Sequence, residues 1–143
     1  MPPLPVEGFI EIDLGDFDGA KHTDILKKHP EIHRNWVLDI DTQIPGGESF
    51  NDIYERVKPG VEEILASPYG KILVVGHAMV NRAILGRMMD MGPIPARKFR
   101  VENGAYSRFF VYETRFGKHI ALDAWNITSH LEGHMPKSYE KSK

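Results

Sequence analysis

His77 stands where chemistry could be done. It follows directly on Lys71-Ile72-Leu73-Val74-Val75-Gly76, an apolar and β-branched run, and it precedes Ala78-Met79-Val80-Asn81-Arg82, where a helical pattern opens. An apolar run without alternating polar residues suits a strand buried on both faces, as in parallel sheets, whose ligands bind beyond the carboxyl ends of the strands. His77 falls at that end, next to helix amides that favour an anion. The same segment also fits a histidine that is packed or capped at a strand end.

Metal-ligand spacing is weaker. His29 and His33 are four apart, the spacing that puts two ligands on one helix face, but Pro30 between them works against a regular helix there. His130 and His134 share that spacing with Gly133 inside, and neither pair sits in an HExxH arrangement. The expectation is solvated histidines and no metal site. Pro45-Gly46-Gly47-Glu48-Ser49 has no strand before it and no Lys-Ser/Thr after it, so it is neither a Walker loop nor a dinucleotide fingerprint. It reads as a turn leading into a capped helix.

The elements that must position these residues follow from periodicity. The three prolines within residues 1–7 imply an extended start, and Phe9 to Leu14 fits a short strand or a loop. Thr23 to His29 and Glu31 to Leu38 read as short helices separated by Pro30, with Trp36 inward. Ser49 and Asp52 resemble a capping box, and Ile53, Val57, Val61, Ile64 and Leu65 recur at helical spacing, with Pro59-Gly60 bending or splitting that helix. A strand over 71–76 and a helix over 78–90 come next, the helix with Val80, Ile84, Leu85 and Met88 inward and its end marked by Gly92-Pro93. Residues 105–112 and 118–125, around Arg115-Phe116-Gly117, read as a β-hairpin.

Composition narrows the function classes. A chain of 143 residues, 41% of them hydrophobic, is sized for one globular domain, and a formal net charge of −2 with dispersed Lys, Arg, Asp and Glu offers no basic stripe for nucleic acid. With no cysteine, disulfides, thiolate catalysis and Cys-ligated zinc are excluded. The amino terminus lacks a basic stretch followed by an apolar run, and no segment nears the roughly 18 apolar residues of a membrane span. The expectation is a cytoplasmic protein with no membrane or nucleic-acid partner.

Three motifs, in order, resemble the histidine phosphatase superfamily, also called phosphoglycerate mutase-like: Glu11-Ile12-Asp13-Leu14-Gly15-Asp16-Phe17-Asp18-Gly19, Pro45 to Ser49 before a helix, and Gly76 to Arg82 after an apolar strand. Trp125-Asn126-Ile127-Thr128-Ser129-His130-Leu131 resembles the closing segment of its small bacterial phosphatases, and Glu102-Asn103-Gly104-Ala105 the turn into their last hairpin. The resemblance runs from about Leu4 to Leu131. It implies a mostly parallel sheet flanked by helices, no metal or organic cofactor, and a phosphoryl group passed through a histidine. Carried over by motif, His77 is the second, assisting histidine and steadies charge on the phosphoryl oxygens, with the Ala78 amide also on the phosphate. Glu11 stands where the family has its general acid/base, although by its residue type alone it could be a solvated loop acid. Ala78 replaces a frequent glycine, and Met79 after it could narrow the pocket or turn into the core. Arg82 suits a structural ion pair as well as phosphate, and Glu48 suits the turn.

The largest departure is an absence. The nucleophile of the family lies in an Arg-His-Gly motif, and no such tripeptide occurs in the sequence. His22, His29 and His33 lie in the insert after Glu11 and not at the end of a buried strand. The resulting expectation is an α/β domain over residues 1–137 that lacks its amino-terminal portion and ends in a β-hairpin, followed by a polar tail at 138–143. Missing strands leave surface to bury, which points to a homo-oligomer or a complementing amino-terminal chain. Three functions fit: a phosphomonoesterase inactive by itself, a non-catalytic binder of phosphorylated small molecules, and an interaction module recruiting a strand. The short span between Glu11 and Pro45 favours small phosphatases over mutase-type phosphoryl transfer.

Overall fold

The computed structural model describes residues 2–133, apart from the side chain of Val37. His134 and the tail at 138–143 lie outside the described residues. Two compact units divide the chain, Met1–Phe99 and Arg100–Lys143.

The first unit is helical. Of the strand or loop considered for Phe9 to Leu14 the loop is found, between short 3-10 turns at Glu7–Phe9 and Gly15–Phe17, and α1 (His22–Lys28) and α2 (Pro30–Leu38) flank the break at His29. Pro30 opens α2 because the first helical position needs no amide donor. The capping box forms: Asp52 N donates to Ser49 Oγ at 3.1 Å and Ser49 N to Asp52 Oδ2 at 2.9 Å, starting α3 (Phe50–Arg56). Pro59, which has no N–H, then splits the helical run at Val57, and α4 (Lys58–Ala66) follows. Gly60 lets Phe9 close on α4, since a Cβ there would stand 2.7 Å from the Phe9 ring. Phe50, Ile53, Val57, Val80 and Leu85 form the fully buried centre, joining α3 to α5 (Ala78–Met88).

The backbone N–H of Ser49, then its hydroxyl, hold the Asp52 carboxyl below its usual range, with Gln43 adding a further hydrogen bond. A lowered folded-state value means that the contribution is present above the unfolded-state value and is lost as pH falls through the folded one. Asp52→Ala is therefore expected to cost about 1 kcal/mol at neutral pH. In urea melts the difference from wild type should close below about pH 4, near the unfolded carboxylate value.

Two expectations are corrected here. Residues 71–76 are extended but carry no ladder, and no parallel sheet forms among the described residues. A strand is defined by its partner, and no described segment supplies one to the backbone groups of 71–76. Burial on both faces fails for the same reason: Leu73 and Val75 are 87% and 83% exposed, whereas Ile72 and Val74, on the other face, are 43% and 37% exposed. The period-2 alternation of a strand is present without its neighbours. The helix after His77 also ends differently from the Gly92-Pro93 stop. Asp90 takes the left-handed conformation (φ 52°), with Met91 N bonded to Gly86 O at 2.8 Å and Asp90 N to Arg87 O at 3.4 Å, a Schellman closure. Gly92-Pro93 instead starts α6 (Pro93–Arg97).

In the second unit β1 (Tyr106–Thr114) pairs antiparallel with β2 (Gly117–Ile127), the hairpin expected over 105–112 and 118–125, with register shifts between Tyr106 and Phe109. The Glu102 to Ala105 turn closes by Ala105 N to Glu102 O at 3.2 Å, and Asn126 Oδ1 accepts from Glu102 N at 2.7 Å. His130 lies 3.0 Å from Gly104 O and against the Tyr106 ring.

Candidate active site

Glu11 is seated on the start of α5, the helix that His77 precedes. His77 is the exposed residue preceding that helix, in extended backbone, and its carbonyl accepts from Asn81 N at 2.9 Å. The Glu11 carboxylate accepts from Met79 N at 3.0 Å through Oε2, and from Val80 N at 3.1 Å and Ile12 N at 2.9 Å through Oε1. Residues 68 positions apart in the chain thus share one helix end. The first amides of a helix have no intrahelical acceptor, so a carboxylate there satisfies two of them and complements the helix dipole. The Ala78 amide keeps no acceptor among the described residues. Glu11 is therefore brought to the first turn of the helix that begins with Ala78 and is preceded by His77.

An arginine that periodicity did not single out positions the Glu11 segment. Arg56 ends α3 and forks onto Glu48, with Nε to Oε1 at 2.7 Å and Nη2 to Oε2 at 3.0 Å. Its remaining donors reach Gly8 O at 2.7 Å and Glu11 O at 3.2 Å. Glu48 Oε2 also accepts from Asp13 N at 3.0 Å, and Glu48 N donates to Asp13 O at 2.9 Å. Glu48 is thus a turn residue, tying the Glu11 loop to the Pro45–Ser49 turn. The 8-residue separation of Glu48 and Arg56 lies outside the i, i+4 window, so no helical-pair rule exposes it.

Arg82 forms no ion pair at contact distance among the described residues; one guanidinium nitrogen donates to Met79 Sδ at 3.0 Å. Burial pushes its pKa down, and Glu11 opposes that shift. Met79 is buried. His29 and His33 do not converge: His29 packs on Phe17, whereas His33 Nε2 is 2.9 Å from His22 Nε2. The turn at Pro30 separates their directions.

Residues 1–128 match the sequence profile of the histidine phosphatase superfamily, branch 1. The chain belongs to that superfamily. Phosphoserine phosphatase 1 of Hydrogenobacter thermophilus is 32% identical over 124 residues, 85% of this chain and 57% of that protein. The adenosylcobalamin/alpha-ribazole phosphatase of Salmonella typhimurium is 28% identical over 105 residues, 72% of this chain and 52% of that protein. Among solved structures, mycobacterial glucosyl-3-phosphoglycerate phosphatase superposes with a TM-score of 0.72 at 22% identity, covering 85% of this chain and 64% of that one, a likeness of fold. The chain spans little more than half the length of these two sequence relatives. No described helix of this superfamily member is long and apolar enough to cross a membrane.

Proposed function

We propose that this chain is the acid-bearing part of a phosphomonoesterase whose nucleophilic histidine comes from residues outside the 143. The observation that carries the reading is the seat of Glu11 on the amides of Met79 and Val80, one residue beyond the His77-Ala78 pair. The nucleophilic nitrogen attacks phosphorus and the bond from phosphorus to the ester oxygen breaks. Glu11 gives a proton to the departing alcohol, leaving the carboxylate that the amides of Met79 and Val80 hold, and that carboxylate then takes a proton from the water that cleaves the phosphohistidine. His77 and the Ala78 amide steady the equatorial oxygens. The segment that brings the nucleophile also covers the exposed face of 71–76.

Thermal unfolding with inorganic phosphate tests the binding half. Phosphate at 100 times its dissociation constant should stabilise the chain by about 2.7 kcal/mol, and His77→Ala should abolish that gain. Equal stabilisation of both proteins, or none, would remove the assignment. For catalysis, the 143 residues alone should show no turnover of an aryl phosphate. In an assembly that does turn over, Glu11→Gln should lower kcat by about 10²-fold or more. Rapid phosphorylation of a histidine within the isolated chain would overturn the external nucleophile.

A further inference from the structure

Next to the start of α5 the first unit holds a cleft of about 420 Å³, within the range of small-ligand sites. Its walls include Trp36, Ile40, Met79, Arg82, Arg97 and Lys98. Asp39 is there too, but its carboxylate is spent on its own turn, accepting from Asp41 N at 3.1 Å and Thr42 Oγ1 at 2.9 Å. Arg97 donates to the Asp39 carbonyl at 3.0 Å and lies over the Trp36 ring at 5.0 Å. Among the described residues none of the three cations has a carboxylate at contact distance. Burial pushes the Arg97 pKa down and Arg82 pushes it further, while the nearby Asp39 carboxylate opposes the shift.

Two donors in these walls lack acceptors. Trp36 Nε1 and Arg82 Nε are shut off from solvent with no hydrogen-bond partner among the described residues. Buried N–H groups of this kind are ordinarily satisfied, and a group that only accepts, carrying negative charge, suits the two guanidinium groups, which no carboxylate contacts among the described residues. The cleft adjoins the candidate catalytic groups through Met79, whose amide holds Glu11 at 3.0 Å and whose side chain forms part of the wall. From Ala78 to Arg82 the helix rises about 6 Å, the reach of a short leaving group.

We propose that this cleft receives the alcohol half of the substrate, and that this half bears a second anionic group, a carboxylate or a phosphate, held by Arg82 and Arg97. The inference rests on the phosphomonoesterase reading and names its substrate class. The apolar walls of Trp36, Ile40 and Met79 accommodate the carbon skeleton between the two charges.

Calorimetric titration of the full chain with glycerol 3-phosphate, 3-phosphoglycerate and 1,3-propanediol bisphosphate tests it. At least one of the last two, which carry a second anionic group, should bind about tenfold or more tightly than glycerol 3-phosphate, since a charge-assisted pair is worth about that ratio. Which of them leads tells carboxylate from phosphate. Arg82→Gln and Arg97→Gln should erase the preference while leaving glycerol 3-phosphate affinity within about threefold. His77→Ala should weaken all three probes. Should Arg97→Gln fail to fold, exposed Lys98→Gln supplies an independent variant, expected to reduce the preference by about threefold. Equal binding of the three probes by the wild type, or a preference that survives both arginine variants, would overturn the cleft and leave the phosphatase reading standing. Discrimination lost in the arginine variants but insensitive to His77→Ala would instead overturn the phosphatase reading and retain an anion cleft.

Discussion

Gly15→Ala is expected to lower stability by more than about 3 kcal/mol, the range reserved for steric and backbone failures. Gly15 has φ +46°, and a Cβ there would lie 2.3 Å from Pro45 O and 2.4 Å from both Gly46 C and Gly47 N. All three are backbone atoms, so no rotamer change relieves the clash. The loop would have to leave the Pro45–Ser49 turn, breaking Asp16 N to Pro45 O at 2.8 Å and Glu48 N to Asp13 O at 2.9 Å. Gly19 separates the steric cost from the dihedral one. It has φ +68° with nothing within 4 Å of the added Cβ, so Gly19→Ala should cost only about 1 to 2 kcal/mol, the left-handed penalty for a side chain. Urea midpoints at unchanged slope would measure both. Near-equal losses would show that the approach of the two loops is not tight.

The sequence exposed the helical part of this fold well because its signals are local. Ser49 and Asp52 specify the capping box, Pro59 the split, and Val80, Ile84, Leu85 and Met88 the buried face of α5. The hairpin was equally legible, since β1 and β2 are neighbours in the chain and carry their own pairing. Segment 71–76 shows the limit of such signals. Its residue types suit a central strand, but pairing is a property of two segments, and no described segment hydrogen-bonds to its backbone. The site divides in the same way. The position of His77 at a helix start follows from a boundary that the sequence marks. The seat of Glu11 on that helix, and the Arg56 donors that hold its loop, are long-range contacts with no periodic trace. Arg97 over Trp36 is likewise a meeting of α6 with α2 that neither helix predicts alone.

Arg56→Ala is expected to cost about 3 kcal/mol and to free the loop that carries Glu11. The guanidinium and the Glu48 carboxylate are 25% and 23% exposed, so water screens the pair only partly. Truncation removes both bonds of the fork and strands Glu48 without its cation. It also leaves the carbonyls of Gly8 and Glu11 without the donors that reach them at 2.7 Å and 3.2 Å. Loss of one partner of a fully buried pair costs roughly 3–5 kcal/mol, and partial exposure places this one at the lower end. Arg56→Lys keeps the charge but cannot make the fork and reach two carbonyls together, so it should recover less than half of the loss. Glu48→Gln retains an acceptor for Asp13 N and should be milder. Combined with Arg56→Ala it should be less than additive, with a coupling of about 1 kcal/mol or more, because the two residues share one network. The consequence for the site is specific. Amide exchange at Met79 and Val80, whose N–H groups rest on Glu11 at 3.0 Å and 3.1 Å, should quicken in Arg56→Ala beyond the change expected from global stability. Exchange there that merely follows global unfolding would make Arg56 a stabilising residue with no part in placing Glu11.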